Sequence, residues 1–438
     1  MTLICAAAVA VSYADRSVAA VAAPALAKEL GLGYAETGEV LGAFFLGYGA
    51  TQIAAGSVAD RNGGREVLAV GVLAWGLATL ATPSAARLGA APLLLVRAAL
   101  GAAEGLCFPA CHSLISASVP PRQQSAAVGV ATAASYLGVA AAFKVVPFLV
   151  DSEELGWPYA FYLFGALALL WLPLATFLPA RGARAAGRTD EYSSMATPST
   201  AQASVTGRKR DSLATKLDSM LGSVNWPLLR TPQAVAIMAA QYFNSYGMYG
   251  LVSWLPTWLE EQGGRQTAEA LGTAAAAPYL LQAAVGVLAG LAADAAIGRG
   301  SERRAVRVAA QSVGMLAPAL CLMLAVRPGT EPDTAVALVI AGSAANALTL
   351  AGVSANALDV APAGAGQLFA AGNTAATLAG LVAVPLTGAV LGAADGTSEG
   401  WTTAFTLCAA HYVVGLAAFA TLAGGQRLKE DVEYAATE

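Results

Sequence analysis

Charge is scarce in this sequence. Only 12% of its 438 residues are Asp, Glu, Lys or Arg, against about 25% in a soluble domain, so the chain lacks the surface groups that would keep it in water. Histidine is scarcer still, with His112 and His411 alone. Two imidazoles leave little from which to build a metal centre or a Ser, His and Asp set, and "GYGATQ" follows no strand that would make it a phosphate-cradling loop. An enzyme, a cofactor and a nucleic-acid partner are therefore not expected. Five cysteines, Cys5, Cys107, Cys111, Cys321 and Cys408, all lie in apolar segments and imply no disulfide framework. Cys107 and Cys111 stand one helical turn apart beside His112, but without a second pair at zinc spacing they read as packing residues. Nothing in it resembles a removable targeting peptide, and none is expected within it, because "MTLICAAAVAVSYADR" is already the start of an apolar span.

Apolar residues are abundant, at 57% with a mean hydropathy of +0.60. Runs of about 20 residues, enough to cross a bilayer as helices, recur along the whole chain. Charges and turn residues divide it into twelve spans near 2–24, 35–58, 66–84, 91–117, 123–150, 157–179, 232–258, 268–294, 305–326, 333–357, 364–393 and 400–424. The expected fold is all-α and membrane-embedded, with a six-helix bundle over 1–179, a polar loop over 180–230, a second six-helix bundle over 231–426 and a short tail over 427–438. The loop, with "GRTDEYSSMATPSTAQASVTGRKRD", has no apolar periodicity and reads as a linker. At its end Leu213, Leu217, Met220, Leu221 and Val224 share one helical face, which fits a helix lying on the membrane or one solvated between the halves.

Lys and Arg set the orientation. Seventeen fall in the tails and loops on the side of both termini and four, Lys28, Arg87, Arg265 and Arg327, on the other. Both termini and the central loop are therefore expected on the cytoplasmic side, or its stromal equivalent. The halves also repeat one another: "GSVADRNGGREVL" follows the second span and "GLAADAAIGRGSERR" the eighth, each with a glycine four residues before an aspartate and a basic loop after it. Asp60 and Asp294, with Arg61 and Arg65 in the first of these loops, are expected to latch helix ends and so to act in gating.

Three basic residues remain inside spans: Arg16, Arg97 and Lys144. A charge at mid-bilayer costs at least a few kcal/mol and normally faces a bundle interior or a watery cavity. Arg97 and Glu104 are two turns apart, about 10 Å along a helix and nearly on one face. Gly101 and Gly105 bracket the glutamate at a spacing that lets a neighbouring helix come close. Asp15 and Arg16 form a second charged pair midway along the first span. A guanidinium holds carboxylate or phosphate oxygens with a fork of donors, and a carboxylate in a partly dry cavity loads and releases a proton or another cation. The set suits the co-transport of an anion with a cation. Lys144 either faces the cavity or snorkels to the interface, and the two histidines are expected to pack or bond locally rather than to move protons.

These residues resemble a known family. "GSVADRNGG" is similar to the loop signature of the major facilitator superfamily. "SYADRSVAAVAAPALAKELG", "GAFFLGYGATQIAAG", "TPSAARLG", "VRAALGAAEGLCFPACHSLISASVPP" and "NALDVAPAGAGQLFAAGNTAATLAG" resemble its anion:cation symporter branch, which includes sodium/phosphate cotransporters and vesicular glutamate transporters. "TPSAARLG" and "NWPLLRTPQAV" look closest to plant and algal plastid phosphate transporters. The resemblance implies that Arg16 and Arg97 hold the substrate anion, that Tyr48 and Asn373 line the same site, and that Asp15 and Glu104 couple a proton or cation. It implies a monomer in a multi-pass membrane setting, in a chloroplast envelope or thylakoid or else the plasma membrane. Leu41 and Asn244 stand where glutamate-carrying members have a histidine and an arginine, which speaks against glutamate. Ala363 and Gly364 replace the usual Arg-Tyr, weakening the loop between spans ten and eleven as a gate. Phosphate with protons or sodium is the expected cargo. Ascorbate, a sugar acid or a dicarboxylate is the alternative, and a non-transporting nutrient sensor is a further one.

Overall fold

A computed structural model of the chain describes residues 1–178, 225–265 and 267–437. The linker through residue 224, including the helix face of Leu213 to Val224, lies outside them. Among the described residues there is no strand. Twelve long helical spans succeed one another: α1 (Thr2–Leu30), α2 (Tyr34–Asn62), α3 (Gly64–Leu88), α4 (Ala90–Ser118), α5 (Pro121–Val150) and α6 (Trp157–Phe177), then α7 (Pro232–Glu261), α8 (Ala268–Gly298), α9 (Arg303–Ala325), α10 (Pro332–Val360), α11 (Ala365–Ala393) and α12 (Ser398–Leu422). Ten are apolar and long enough to cross a membrane; α2 and α7 match them in length. The chain is an integral multi-pass membrane protein.

Local chemistry sets the helix ends. Gly31 closes α1 in the left-handed region (φ 66°), which only glycine adopts freely, and the chain turns back into α2 within three residues. Thr231 and Thr267 cap α7 and α8, their hydroxyls accepting from the backbone N–H groups of Ala234 and Ala270 at 3.2 and 3.3 Å. Three spans change register partway: α4 loosens at Gly105 and Leu106, α6 ends as a tight turn over Leu172–Phe177, and α10 tightens over Ala347–Leu350 before resuming at Val353.

Close backbone approach holds the N-terminal half together. A Cβ on Gly101 would stand 2.0 Å from the Phe44 carbonyl oxygen, one on Gly47 1.8 Å from that of Ala98, and one on Gly105 2.2 Å from the Thr51 hydroxyl. The neighbour that Gly101 and Gly105 admit is thus α2. In a bilayer, where apolar burial does not drive helix association, such contacts carry much of the cohesion.

The halves meet along two seams. In one, Gly38, Gly42, Phe45 and Gly49 of α2 lie against Gly388, Pro385, Gly380 and Thr377 of α11. In the other, Phe143 of α5 meets Tyr279 of α8 edge-on at 5.3 Å, and Lys144 Nζ donates to Thr273 Oγ1 at 2.7 Å. These contacts run from the middle of α2 and α11, at Gly49 and Thr377, toward the helix ends away from the termini. Nearer the inner end the rings of His112 (α4) and Phe369 (α11) touch at 5.9 Å, while the inner part of α8 from Leu288 is largely exposed. The contacts between the halves thus gather from mid-helix to the outer end, with the His112–Phe369 ring contact nearer the inner one.

The tail folds rather than trailing away. Lys429–Thr437 is helical, and the buried Asp431 accepts from the Gly364 N–H at 2.6 Å and from Arg427 Nε at 2.5 Å. The Ala363-Gly364 turn is thereby tied to the chain's own end. Replacing Gly101 with alanine is expected to cost about 1–3 kcal/mol through overpacking; Gly129→Ala, where a Cβ meets nothing within 4 Å, should leave the melting temperature in detergent unchanged or slightly raised.

Candidate functional site

Four charges gather halfway along α1 and α4. Asp15 is 0% exposed, Glu104 1%, Arg97 2% and Arg16 7%. Ser12 and Arg16 are one turn apart on α1 and present the same face, which meets Glu104. The Ser12 hydroxyl donates to Glu104 Oε2 at 3.0 Å, and Arg16 Nε stands 3.7 Å from the same oxygen, a charge pair too long for a hydrogen bond. Glu104 Oε1 has no partner.

Asp15 faces another way, into the half itself. Its Oδ2 lies 3.4 Å from Thr79 Oγ1 of α3, but that hydroxyl also reaches the Trp75 carbonyl at 2.9 Å. One hydroxyl has one proton to give and the shorter bond takes it, so Asp15 is barely held. Its Oδ1 is unpartnered too.

Aromatic faces surround the arginines. The guanidinium carbon of Arg16 rests 4.4 Å from the Phe44 ring centroid, 4.6 Å from Tyr13 and 4.8 Å from Tyr48, and that of Arg97 is 5.7 Å from Phe44. These quadrupoles offset part of the charge but accept no N–H in its plane. Nε, Nη1 and Nη2 of Arg16 and Nε and Nη1 of Arg97 are buried without an acceptor. A buried unsatisfied donor costs about 1–3 kcal/mol, more when charged. Five such nitrogens make a wall suited to a multidentate anion. Arg97 also lines a void of about 10 Å³ with Thr37, Thr82, Leu93 and Phe161, one water in size, so it sits deeper in the N-terminal half than Arg16.

The facing half is neutral. Tyr249 of α7 packs on Phe45 at 4.6 Å across the interface. Asn346 of α10 donates to Asn244 Oδ1 at 2.7 Å and to the Gly314 carbonyl at 2.9 Å. Gln282 donates to the Ser343 carbonyl at 2.7 Å. Asn373 is half-buried, and its carbonyl accepts from Thr377 at 2.9 Å. Tyr48 is buried and stacked on Phe44.

Other expected residues fall elsewhere. Lys144 is exposed and tethers α5 to Thr273 instead of facing the charges. His112 packs between Phe108 and Phe369; His411 stacks on Tyr246 at 3.5 Å and bonds the Leu407 carbonyl. The side chains of Asp60 and Arg61 lie outside the described residues, and Arg65 Nη1 reaches the Leu178 carbonyl at 3.5 Å. Asp294 is exposed and makes no ion pair among the described residues. The carboxylate that gathers the basic loop is Asp359, which takes Arg307 Nε at 2.7 Å and Arg303 Nη1 at 3.4 Å, because the start of α9 packs beside the end of α10. Ser12, Tyr13, Phe44 and Thr79 were not legible as site residues. Only the one-turn spacing of Ser12 and Arg16 hints at the first.

A Major Facilitator Superfamily model matches residues 5–384. The sodium-dependent phosphate transport protein 1, chloroplastic, of Arabidopsis thaliana is 30% identical over 98% of this chain and 79% of its own. The ascorbate transporter, chloroplastic, of the same plant is 29% identical over 94% and 72%. Among solved structures, the xylose transporter XylE from E. coli in its inward open conformation superposes with a TM-score of 0.74 at 15% identity, over 100% and 98% of the two chains; it shares the fold.

Asp359→Ala strands a buried Arg307 and is expected to lower stability by about 3–5 kcal/mol. Asp294→Ala should shift it by less than about 0.5 kcal/mol. Thermal unfolding of the two variants in detergent separates them.

Proposed function

Because the chain belongs to the Major Facilitator Superfamily, in its anion:cation symporter branch, we propose that it carries inorganic phosphate across a plastid membrane together with protons or sodium. The observation that carries this reading is the set of five buried guanidinium nitrogens without acceptors. Phosphate offers oxygens on every side, and a guanidinium fork takes two of them at once.

Arg16 and Arg97 hold the anion, with Tyr48 beside Arg16 and Asn373 on the opposite half. An incoming anion competes with Glu104 for Arg16, whose separation of 3.7 Å from Glu104 Oε2 makes the exchange easy. A carboxylate released from its cation in a dry cavity takes up a proton or another cation, so loading the anion and loading the coupling ion favour each other. Asp15, barely held by Thr79, is the second coupling group. The bundles 1–179 and 231–426 rock about this site as a monomer, and the cargo is released when the inner end parts. Phosphate and sodium are supported by the name of one relative, and a plastid membrane by the chloroplastic relatives.

An organic anion such as ascorbate, a sugar acid or a dicarboxylate is the second reading. It is favoured by the neutral wall of Asn244, Asn346 and Gln282, which suits hydroxyl groups better than a second charge.

In proteoliposomes, Arg16→Ala and Arg97→Ala are each expected to reduce labelled phosphate uptake at least a hundredfold while the protein stays monodisperse; normal uptake by both overturns the site. Glu104→Gln is expected to exchange bound anion at near-normal rates but to lose gradient-driven accumulation. Competition of phosphate uptake by ascorbate or gluconate decides between the two cargoes, and proton and sodium gradients imposed separately identify the coupling ion.

A further inference from the structure

Tyr34 opens α2 and so belongs to the N-terminal half, yet its ring is seated in the other one. Its hydroxyl donates to Glu261 Oε1, at the end of α7, at 2.8 Å. The second oxygen of Glu261 accepts from Trp401 Nε1 of α12 at 3.1 Å. One carboxylate therefore joins a phenol from one half to an indole of the other.

The seat is made of glycine. Gly388 and Gly392 on α11 and Gly396 just beyond it are spaced four residues apart. A Cβ on Gly388 would lie 2.4 Å from the Tyr34 carbonyl oxygen, and one on Gly396 would lie 2.2 Å from the Tyr34 hydroxyl. Gly396 also holds a left-handed backbone (φ 67°), so it is confined to glycine twice over. Trp254 flanks the ring at 6.4 Å and is itself fixed by its N–H to the Val384 carbonyl at 3.0 Å. Tyr34 and Glu261 stand in the wall of a cavity of about 280 Å³ between α1, α2 and α7. Arg16 and Glu104 are not in that wall, and Tyr34 is some 20 Å up α2 from Tyr48. The anion site does not use this cluster.

We propose that Tyr34 and Glu261 form the outer gate: their hydrogen bond, with the phenol lodged in the glycine seat, keeps the outer end shut while the inner end is open, and must break for the carrier to turn outward. The proposal goes beyond the assignment of cargo and stands whichever anion is carried, because it needs only two halves that rock. A hydrogen bond to a charged acceptor shifts a two-state equilibrium by about tenfold or more, enough to set which end is closed. The glycines add shape: Gly396 leaves room for the phenol itself, and Gly388 on α11 lets the Tyr34 backbone come close.

The test uses spin labels at Glu36→Cys and Ser398→Cys, exposed positions at the outer ends of α2 and α12, in a cysteine-free parent that retains uptake. Pulsed-EPR distances in the parent are expected to show one dominant short population. Tyr34→Phe keeps the ring and removes the hydroxyl, and is expected to raise the long-distance population about tenfold. Gly388→Val fills the seat and is expected to abolish the short population and net uptake together. A label pair within the N-terminal half, at Glu36 and Glu153, reports the fold and should read the same in all three proteins. Parent-like distances across the halves in Tyr34→Phe overturn the gate, whatever Gly388→Val shows.

Discussion

A guanidinium that cannot shed its proton, held halfway through a bilayer, is the constraint on which the rest of the N-terminal half depends. The Nε, Nη1 and Nη2 of Arg16 are buried and donate no hydrogen bond to the protein. What makes it tolerable is distributed: three aromatic faces and the Glu104 carboxylate at 3.7 Å. Those aromatics come largely from α2, and α2 reaches α4 only because Gly47, Gly101 and Gly105 present no side chains. Replace the glycines and the aromatic platform withdraws from the charge. Helix packing and charge placement are thus one problem with one solution.

The halves divide the work unequally. The N-terminal half carries its charges at mid-membrane and leaves them unfinished. The C-terminal half pairs buried amides internally, Asn244 with Asn346, Gln282 with Ser343 and Gln311 with the Val353 N–H. Its ion pairs and charged bonds lie at the helix ends: Arg303 and Arg307 meet Asp359 and Asp431 ties the tail to Gly364 at the inner one, while Arg265 meets Asp333 and Glu261 bonds Tyr34 at the outer one. In the proposed function a cargo meets one wall that attracts and another that only shapes.

Much of this was readable from the chain itself. The spans follow from the lengths of apolar runs, but not all their ends do: the first runs on to Leu30, six residues past the expected 24, where Gly31 closes it. Arg16, Arg97, Asp15 and Glu104 stand out because charge is so rare inside a span, and the structure brings all four together. The pairings were not readable. Nothing in linear spacing tells that Asp359, and not Asp294, will meet the basic start of α9, or that Ser12 will reach Glu104 across ninety-two residues. Those depend on which helices become neighbours. In a bilayer both faces of a helix are apolar, so the period that betrays a buried face in a soluble protein is weak. The tail helix escaped notice for a different reason: it is short and polar, and Asp431 counts as a surface residue until its partners are known.

The seam between α2 and α11 has a mechanical consequence. Where Gly38 meets Gly388, Gly42 meets Pro385 and Gly380 meets Phe45, hardly any side chain has rotamers to rearrange. Surfaces interlocked by long side chains must unlock knob by knob before they can slide; surfaces of bare backbone roll like a bearing. Friction along the length of the seam is low, and resistance to turning is gathered into a few polar contacts at its end.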